Sequence, residues 1–214
     1  REGDFDIVCY DCLDEISLYA GRASQERFLH YEKALLQLAR AVFVTAERLE
    51  EHIISVAPGL PRYRVPNGVD YEWFVQQALN QPMPQDIAGI KKPIVGYLGM
   101  IASWFDFDIL EKLAVTMPDV SFVAVGPLEY KERINQLRKR ENIFWLGRKN
   151  YADVPAYVNA FDVCLIPFVQ GKIAQTTNPV KVFEYFALGK PVVTTPLVEL
   201  RQFAANDMLR VSET

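Results

Sequence analysis

Histidine and cysteine are scarce in this chain, which has two and three of them among 214 residues. Three cysteines cannot form a complete disulfide framework, and two separated histidines leave little for a zinc site. No run approaches the roughly 20 apolar residues of a membrane span, and no charged start leads into an apolar signal segment. These absences favour a cytoplasmic protein over a secreted or membrane-spanning one.

A basic excess is also lacking. The chain has 23 Lys and Arg against 27 Asp and Glu, a net charge of −4, and no basic stripe to face phosphates, which argues against nucleic acid as a partner. Half of the residues are hydrophobic, as in a globular protein with a sizeable core. The length fits one large domain, or one domain plus part of another. The first residue is Arg1, so we expect a piece of a longer protein.

From Lys92 onward, short apolar runs alternate with segments of helical spacing. The predicted strands are 93–99, 120–126, 142–147, 162–167 and 191–195, and the predicted helices are 106–117, 130–139, 154–160 and 179–188. Repeated alternation of buried strands with helices is typical of a parallel sheet with crossover helices. The sequence therefore predicts an α/β fold with a Rossmann-like, doubly wound domain.

The first part of the chain has a different pattern of predicted strands and helices. It predicts a strand at 5–10, a helix through Phe28 and Leu38, a strand at 41–45 and a second helix through Leu49 and Ile53. Two strands are too few for a stable sheet, so this part is expected to be the tail of a preceding α/β domain. Turn formers between residues 58 and 68 predict the boundary, with domains at 1–65 and 66–214.

The segment 176–193 is the most informative for function. Asn178 is a good N-cap, Pro179 suits the first helical position, and Gly189 is expected to end the helix. The amides and dipole of such a helix start favour an anion, and Lys181 in its first turn is better explained if a phosphate lies nearby. Glu184 follows on the same face, where a carboxylate suits ribose hydroxyls. A solvated Lys–Glu pair, worth about 0.2–0.5 kcal/mol, is the alternative from spacing alone.

Five motifs occur in an order that resembles one family. They are Asn67-Gly-Val-Asp70, Val95-Gly-Tyr-Leu-Gly99, Val125-Gly-Pro127, Trp145-Leu-Gly147 and the segment 179–193. Together they resemble the sugar-nucleotide half of GT-B glycosyltransferases of family 4, also called group 1. The segments 10–15 and 41–45 resemble the end of the family's acceptor-side domain. The resemblance thus makes 1–65 a remnant of that domain and 66–214 the nucleotide-sugar domain.

The resemblance implies a role for each matched residue. Glu184 would bind the ribose hydroxyls and Lys181 would supply positive charge, and these two are the predicted catalytic residues. The diphosphate would lie against Gly99 and the helix start, while Arg148 or Tyr151 would stack on the base. The predicted donor-binding residues are Gly99, Arg148, Tyr151, Thr176, Thr177, Asn178, Pro179, Val180, Lys181 and Glu184.

Two departures from the family pattern accompany these matches. Thr176 stands where the family has a Glu that contacts the donor sugar, and the loop 100–106 after Gly99 has no Lys or Arg. Lys172 or Lys181 is expected to supply the charge that the departing diphosphate requires. The loop, with its Trp104, is nearest to teichuronic-acid and exopolysaccharide-type members of the family.

The implied function is transfer of a sugar from a UDP- or GDP-linked donor to a glycan or lipid-linked acceptor. The resemblance further implies retention of configuration, a role in bacterial cell-surface polysaccharide synthesis and no metal or other cofactor. The missing N-terminal half would complete activity and provide any peripheral attachment to the inner face of the membrane. Two alternatives remain: a degenerate nucleotide-binding module without turnover, and a GT-B nucleotide-sugar epimerase.

Other polar groups have simpler interpretations. Asp106-Phe-Asp108 and Asp4-Phe-Asp6 fit a metal-binding Asp-x-Asp pattern, but an N-cap role explains Asp106. Cys9 and Cys12 form a Cys-x-x-Cys that lacks the helix start of a redox site, so ordinary cysteines are expected.

The remaining polar residues of interest are two histidines and an acidic cluster. His30 and His52 are expected to be structural or solvent-facing, without a partner. The residues Asp11, Asp14 and Glu15 could contact an acceptor, although a solvated loop is the simpler interpretation.

Overall fold

The computed structural model describes residues 6–15, 18 and 22–212, without the side chains of residues 22 and 23. The strands are β1 (Cys9–Cys12), β2 (Ala41–Val44), β3 (Arg62–Arg64), β4 (Ile94–Leu98), β5 (Ser121–Val125), β6 (Ile143–Gly147), β7 (Val163–Ile166), β8 (Val192–Thr194) and β9 (Arg210–Val211). The helices are α1 (Arg22–Leu38), α2 (Glu47–Val56), α3 (Tyr71–Asn80), α4 (Gln85–Ala88), α5 (Phe107–Thr116), α6 (Lys131–Leu137), α7 (Val154–Ala160), α8 (Lys172–Thr176), α9 (Val180–Ala187) and α10 (Arg201–Ala205). Short 3₁₀ turns cover Tyr151–Asp153 and Val198–Leu200. None of the described helices is both long and apolar enough to cross a membrane.

The chain forms two compact units. Unit 1 comprises residues 1–67, 170–178 and 197–200, and unit 2 comprises residues 68–169, 179–196 and 201–214. Two segments from the second half of the sequence thus belong to unit 1. The assignment of an acceptor-side remnant and a donor domain to these parts of the chain stays a prediction.

Unit 1 contains a parallel sheet in the order β1-β2-β3. Its core is apolar and consists of Cys12, Leu36, Val42, Val44, Ala46, Leu49 and Ile53. Two predictions are corrected here. The first strand begins at Cys9 and not near residue 5, in register with β2, and Ile7 before it is exposed. Residues 62–64, predicted as part of a turn-rich linker, form β3 because β2 offers an edge with which they pair.

Unit 2 contains a parallel sheet in the order β6-β5-β4-β7-β8-β9. Its predicted strands and helices are confirmed to within one or two residues at each end. After β6 the chain returns to the other side of β4 and continues with β7. The order therefore reverses between β4 and β7, and the carboxyl ends of strands at such a switch point are where open α/β sheets bind ligands.

Candidate functional site

Helix α9 begins at Val180, with Pro179 at the N-cap position. The prediction that Asn178 caps this helix is wrong. The buried Asn178 side chain instead donates from Nδ2 to the carbonyl of Thr45 at 2.8 Å within unit 1, which satisfies a buried acceptor there. The Val182 amide donates to the Pro179 carbonyl at 3.1 Å. The amides of a helix's first turn point out of its N-terminus, so this end remains suited to an anion.

The ammonium of Lys181 lies near the switch point of the sheet. Its Nζ is 4.7 Å from the ring centroid of Phe168, just beyond β7, and 5.1 Å from that of Tyr97 in β4. Both distances allow cation–π attraction. Gly99, directly after β4, has a φ of +128°, and a Cβ placed there would lie 3.2 Å from Lys181 Nζ. The glycine therefore leaves the space beside the ammonium open.

Glu184 lies one turn further along α9 and is 5% exposed. Burial raises the pKa of its carboxyl, while the nearby phenol of Tyr151 and the charge of Lys181 act in the opposite direction. A buried carboxylate is costly unless polar partners compensate it. A carboxyl with a raised pKa beside a sheet switch point is a candidate for ligand binding.

Tyr151 and Trp73 form a stacked pair next to this carboxyl. Their ring centroids are 5.4 Å apart and their planes differ by 4°. The pKa of the Tyr151 phenol is raised by burial and by the nearby Glu184 carboxyl. Trp73 is not among the predicted site residues. Its position on α3, a helix distant in sequence, carries no signal for a contact with Tyr151.

Unit 2 thus brings together Gly99, Lys181, Glu184 and Tyr151 through the contacts described above. Arg148, after β6, is exposed. The remaining predicted residues, Thr176, Thr177 and Asn178, belong to unit 1, while Pro179 and Val180 belong to unit 2.

In unit 1, the Thr176 hydroxyl donates to the carbonyl of Lys172 at 3.1 Å, so it is engaged within α8. Both residues line a polar cavity of about 410 Å³, together with Glu15, Arg48, Glu51, His52 and Gln175. Of the two lysines proposed for the diphosphate, Lys181 is therefore the one that lies beside Gly99 in unit 2.

The simpler interpretation of Asp106 is confirmed. Its carboxylate accepts hydrogen bonds from the amides of Asp108 and Ile109 at 3.1 and 2.9 Å and so caps α5. Asp108 pairs with Arg133. Across residues 6–15, 18 and 22–212, no group of three or more His, Cys, Asp or Glu could hold a metal ion. Asp4 of the other Asp-x-Asp motif lies outside the described residues.

The cysteines of the Cys-x-x-Cys motif are both free. Cys12 is buried in the unit 1 core, and burial raises the pKa of its thiol to about 11. Cys9 is exposed. A thiol whose pKa is raised is a poor nucleophile, which is consistent with ordinary cysteines.

The prediction that His52 lacks a partner is wrong. Its Nε2 lies 2.8 Å from Glu32 Oε2, and the Tyr10 hydroxyl donates to Glu32 Oε1 at 3.1 Å. The hydrogen bond with Glu32 raises the pKa of His52. Burial raises the pKa of Glu32, but the hydrogen bonds with His52 and Tyr10 outweigh the effect of burial. The pKa of Glu32 is therefore below its usual value. His30 is exposed, which agrees with the solvent-facing one of its two predicted alternatives.

The family description "Glycosyl transferases group 1" matches residues 92–211, which is more than half of the chain. The chain belongs to the group 1 glycosyltransferases. A Bacillus subtilis (strain 168) protein named, provisionally, the teichuronic acid biosynthesis glycosyltransferase TuaH is 30% identical over 206 residues. That alignment covers 90% of this chain and 51% of TuaH. This group 1 chain thus spans about half the length of the relative.

Solved structures agree on the fold. Anabaena Alr3699/HepE, determined in complex with UDP and glucose, is similar with a TM-score of 0.67 and 18% identity, over 91% of this chain and 54% of that one. AviGT4, a glycosyltransferase involved in avilamycin A biosynthesis, is similar with a TM-score of 0.55 and 14% identity, over 77% and 46% of the two chains. The predicted GT-B type α/β fold is confirmed by these similarities.

Proposed function

We propose that unit 2 binds a nucleoside-diphosphate sugar and that the protein transfers the sugar to a glycan or lipid-linked acceptor. The observation that carries the proposal is the position of Lys181. Its ammonium lies beside Gly99 after β4 and Phe168 after β7, at the switch point of the sheet. A cation there, next to a helix start and a glycine, suits a diphosphate.

Each neighbouring group has a role in this proposal. The backbone amides at the start of α9, around Pro179 and Val180, and the ammonium of Lys181 would stabilise the negative charge that develops on the departing diphosphate. Glu184, as a carboxylate, would accept hydrogen bonds from the ribose hydroxyls. No metal ion is required in this scheme, because the leaving group's charge is met by groups of the chain itself.

The donor and acceptor are further parts of the proposal. UDP is the first nucleotide to test, because the similar HepE structure contains UDP and glucose. Polysaccharide synthesis is proposed because the similar TuaH is named for teichuronic acid biosynthesis. Retention of configuration, a site for the base at Arg148 or Tyr151, and a cytoplasmic location at the membrane's inner face are carried over from the resemblance.

A nucleotide panel tests the proposed donor site. Thermal unfolding of the 214-residue chain is measured with UDP, GDP, ADP, CMP and dTDP, alongside Glu184→Gln and the control Glu132→Gln, which alters an exposed residue of α6. A nucleotide at 100 times its Kd should stabilise the chain by about 2.7 kcal/mol. We expect a selective shift that Glu184→Gln loses and Glu132→Gln keeps. A shift that is equal in all three proteins would refute the role of Glu184.

A binding module without turnover is the second candidate. It is favoured by Thr176, whose hydroxyl is engaged with the Lys172 carbonyl at the position where the family has a sugar-binding Glu. A longer protein that contains this chain, assayed with the selected UDP- or GDP-sugar, distinguishes the two. Transfer or hydrolysis of the sugar would contradict the binding module, and epimerised nucleotide sugar without acceptor would indicate an epimerase.

A further inference from the structure

Residues 179–196 form a single excursion of the chain out of unit 1. The chain leaves unit 1 after Asn178, forms α9 and β8 in unit 2, and returns to unit 1 at Leu197. The excursion carries Lys181 and Glu184, the two charged side chains of the proposed donor site. The position of the start of α9 therefore depends on how the ends of this excursion are held.

Two side-chain amides hold the first end of the excursion. Asn178, which is 5% exposed, donates from Nδ2 to the carbonyl of Thr45 at 2.8 Å. Asn67 donates from its own Nδ2 to the carbonyl of Asn178 at 2.7 Å. The Thr45 hydroxyl donates in turn to the carbonyl of Leu13 at 2.7 Å. The residue that precedes Pro179 is thus tied to unit 1 through both its side chain and its backbone.

The second end is held at the same place in unit 1. The Glu199 carboxylate accepts a hydrogen bond from the amide of Glu47 at 2.6 Å. Glu47 is the first residue of α2 and Thr45 directly follows β2, so both anchors lie in the β2–α2 turn, residues 45–47. Glu199 is 8% exposed and Leu200 beside it is fully buried. Both ends of the excursion are therefore held in the interior of unit 1, at a single turn.

The middle of the excursion is fixed within unit 2. The Leu98 amide donates to the hydroxyl of the fully buried Tyr185 at 2.8 Å, and the Lys190 ammonium donates to the Phe161 carbonyl at 2.9 Å. Because its later part is fixed in this way, α9 is displaced most easily at its first turn, which follows Asn178. The anchor at residue 178 therefore acts on the amides and the ammonium that face the proposed diphosphate.

Preorganised donors stabilise charge only when they are held in place, and a misplacement of about 1 Å is enough to weaken their effect. We propose that Asn67, Asn178 and Glu199 are positioning residues, which hold both ends of residues 179–196 at the β2–α2 turn and so place the start of α9 for a nucleoside diphosphate. This role rests on the proposed nucleotide-binding function. The Oδ1 of Asn178 is buried and accepts no hydrogen bond from the described residues, a cost that a residue selected for stability alone would not carry.

NMR titration of the 214-residue chain with UDP and with uridine tests the proposal. The two ligands share the nucleoside, so the ratio of their affinities reports the contribution of the diphosphate. Asn67→Ala removes the donor to the Asn178 carbonyl. Glu199→Ala and Glu199→Gln remove the same negative charge, but only Gln keeps an oxygen that accepts from the Glu47 amide. The difference between these two variants therefore reports the hydrogen bond and not the charge.

The matched control is Asn159→Ala, which removes an amide donor to the Ala78 carbonyl at 3.3 Å within unit 2. We expect Asn67→Ala and Glu199→Ala to weaken UDP about fivefold and to leave uridine unchanged, because each loses one hydrogen bond that holds the excursion. Glu199→Gln and Asn159→Ala should keep the ratio of the parent chain. Loss of a negative charge alone would favour an anion, so a weaker UDP complex in Glu199→Ala is the opposite of the electrostatic effect.

The outcomes separate this proposal from the one on which it rests. If the parent chain does not bind UDP more tightly than uridine, the proposed diphosphate site fails and the positioning role fails with it. If the parent has this preference and both Asn67→Ala and Glu199→Ala keep it, only the positioning role is overturned. A purely structural role would reduce the folded fraction and weaken both ligands equally, so an unchanged ratio also contradicts the proposal. A loss in Glu199→Gln as large as that in Glu199→Ala would overturn the part assigned to the Glu199 hydrogen bond.

Discussion

At the residue scale, the site combines side chains that are close in sequence with side chains that are far apart in sequence. The placement of Lys181 and Glu184 within one turn of α9 could be predicted from helical spacing and from Gly189 at the helix end, although Asn178 does not cap the helix. The Tyr151–Trp73 stack and the His52–Glu32 pair could not. Each joins residues at least 20 positions apart, and the sequence does not reveal which exposed faces of two helices or turns meet.

Gly99 gives a prediction at this scale. Gly99→Ala places a Cβ 3.0 Å from Lys181 Cε at a φ of +128°, so it should displace the ammonium and strain the backbone. We expect a loss of about 1–3 kcal/mol in the free energy of unfolding. We also expect the variant to bind UDP more weakly than the parent chain. Denaturant unfolding and UDP titration measure the two effects.

Gly89→Ala is the matched control, because a Cβ there meets nothing within 4 Å and its φ is −90°. It should leave both stability and UDP binding close to those of the parent. If Gly99→Ala behaves in the same way as this control, the space beside Lys181 is not needed by the ligand.

At the element scale, the sheet of unit 2 was predictable and that of unit 1 was less so. The inner strands of unit 2 read as continuous apolar runs, as β5 shows with every residue buried. The two-residue β9 is exposed and is not among the predicted strands. The short β3 has exposed residues and exists because β2 pairs with it, a tertiary effect that local propensity does not contain. The Asn178 error has the same origin. Its Nδ2 donates to the distant Thr45 carbonyl, and its Oδ1, the atom that would cap a helix, accepts no hydrogen bond from the described residues.

The end of α9 gives a second prediction. Gly189 has a φ of +62°, its amide donates to the Phe186 carbonyl at 2.9 Å, and the Lys190 amide donates to the Tyr185 carbonyl at 3.0 Å. These bonds form a Schellman motif. Gly189→Ala should destabilise the chain by about 1 kcal/mol, whereas Gly189→Asn should cost less because Asn tolerates this conformation. Denaturant unfolding checks the order, and an equal loss for both variants would contradict it.

Helices α1 and α2 are linked by Glu32 and His52, which makes stability depend on pH. The raised pKa of His52 stabilises the folded state below about pH 6.5, and this is lost as the pH rises through the raised value. The lowered pKa of Glu32 stabilises the folded state above about pH 4.3, and this stabilisation is lost as the pH falls through the lowered pKa. Both effects are fully present between these limits.

The third prediction uses this window. Glu32→Gln should lower the free energy of unfolding most between about pH 4.3 and 6.5, by roughly 1.5–3 kcal/mol, and less above it. Glu51→Gln on α2 is the control, because its pair with Arg48 is exposed to solvent, where an ion pair contributes little to stability. Denaturant unfolding at several pH values measures both. A pH-independent effect of Glu32→Gln would show that the charged pair does not form.

At the scale of the whole molecule, the topology accounts for where a ligand would bind. The order of strands reverses between β4 and β7, and Gly99, Phe168 and the Lys181 ammonium all lie at the ends of these strands. Alternation of strands and helices predicted the class of fold, but the strand order is a property of the three-dimensional arrangement. The membership of residues 170–178 and 197–200 in unit 1 was likewise not visible in sequence, because these segments are surrounded by residues of unit 2 along the chain.

Hydrogen–deuterium exchange with and without saturating UDP tests the central claim, that the start of α9 in unit 2 receives a nucleoside diphosphate. Amides in the first turn of a helix exchange faster than those of its interior, and a ligand that accepts their hydrogen bonds slows their exchange. We predict that UDP slows exchange at residues 180–183 and around residues 99 and 151, and that Glu184→Gln abolishes the effect. Unchanged exchange at residues 180–183, in a chain that calorimetry shows to be saturated with UDP, would contradict the claim.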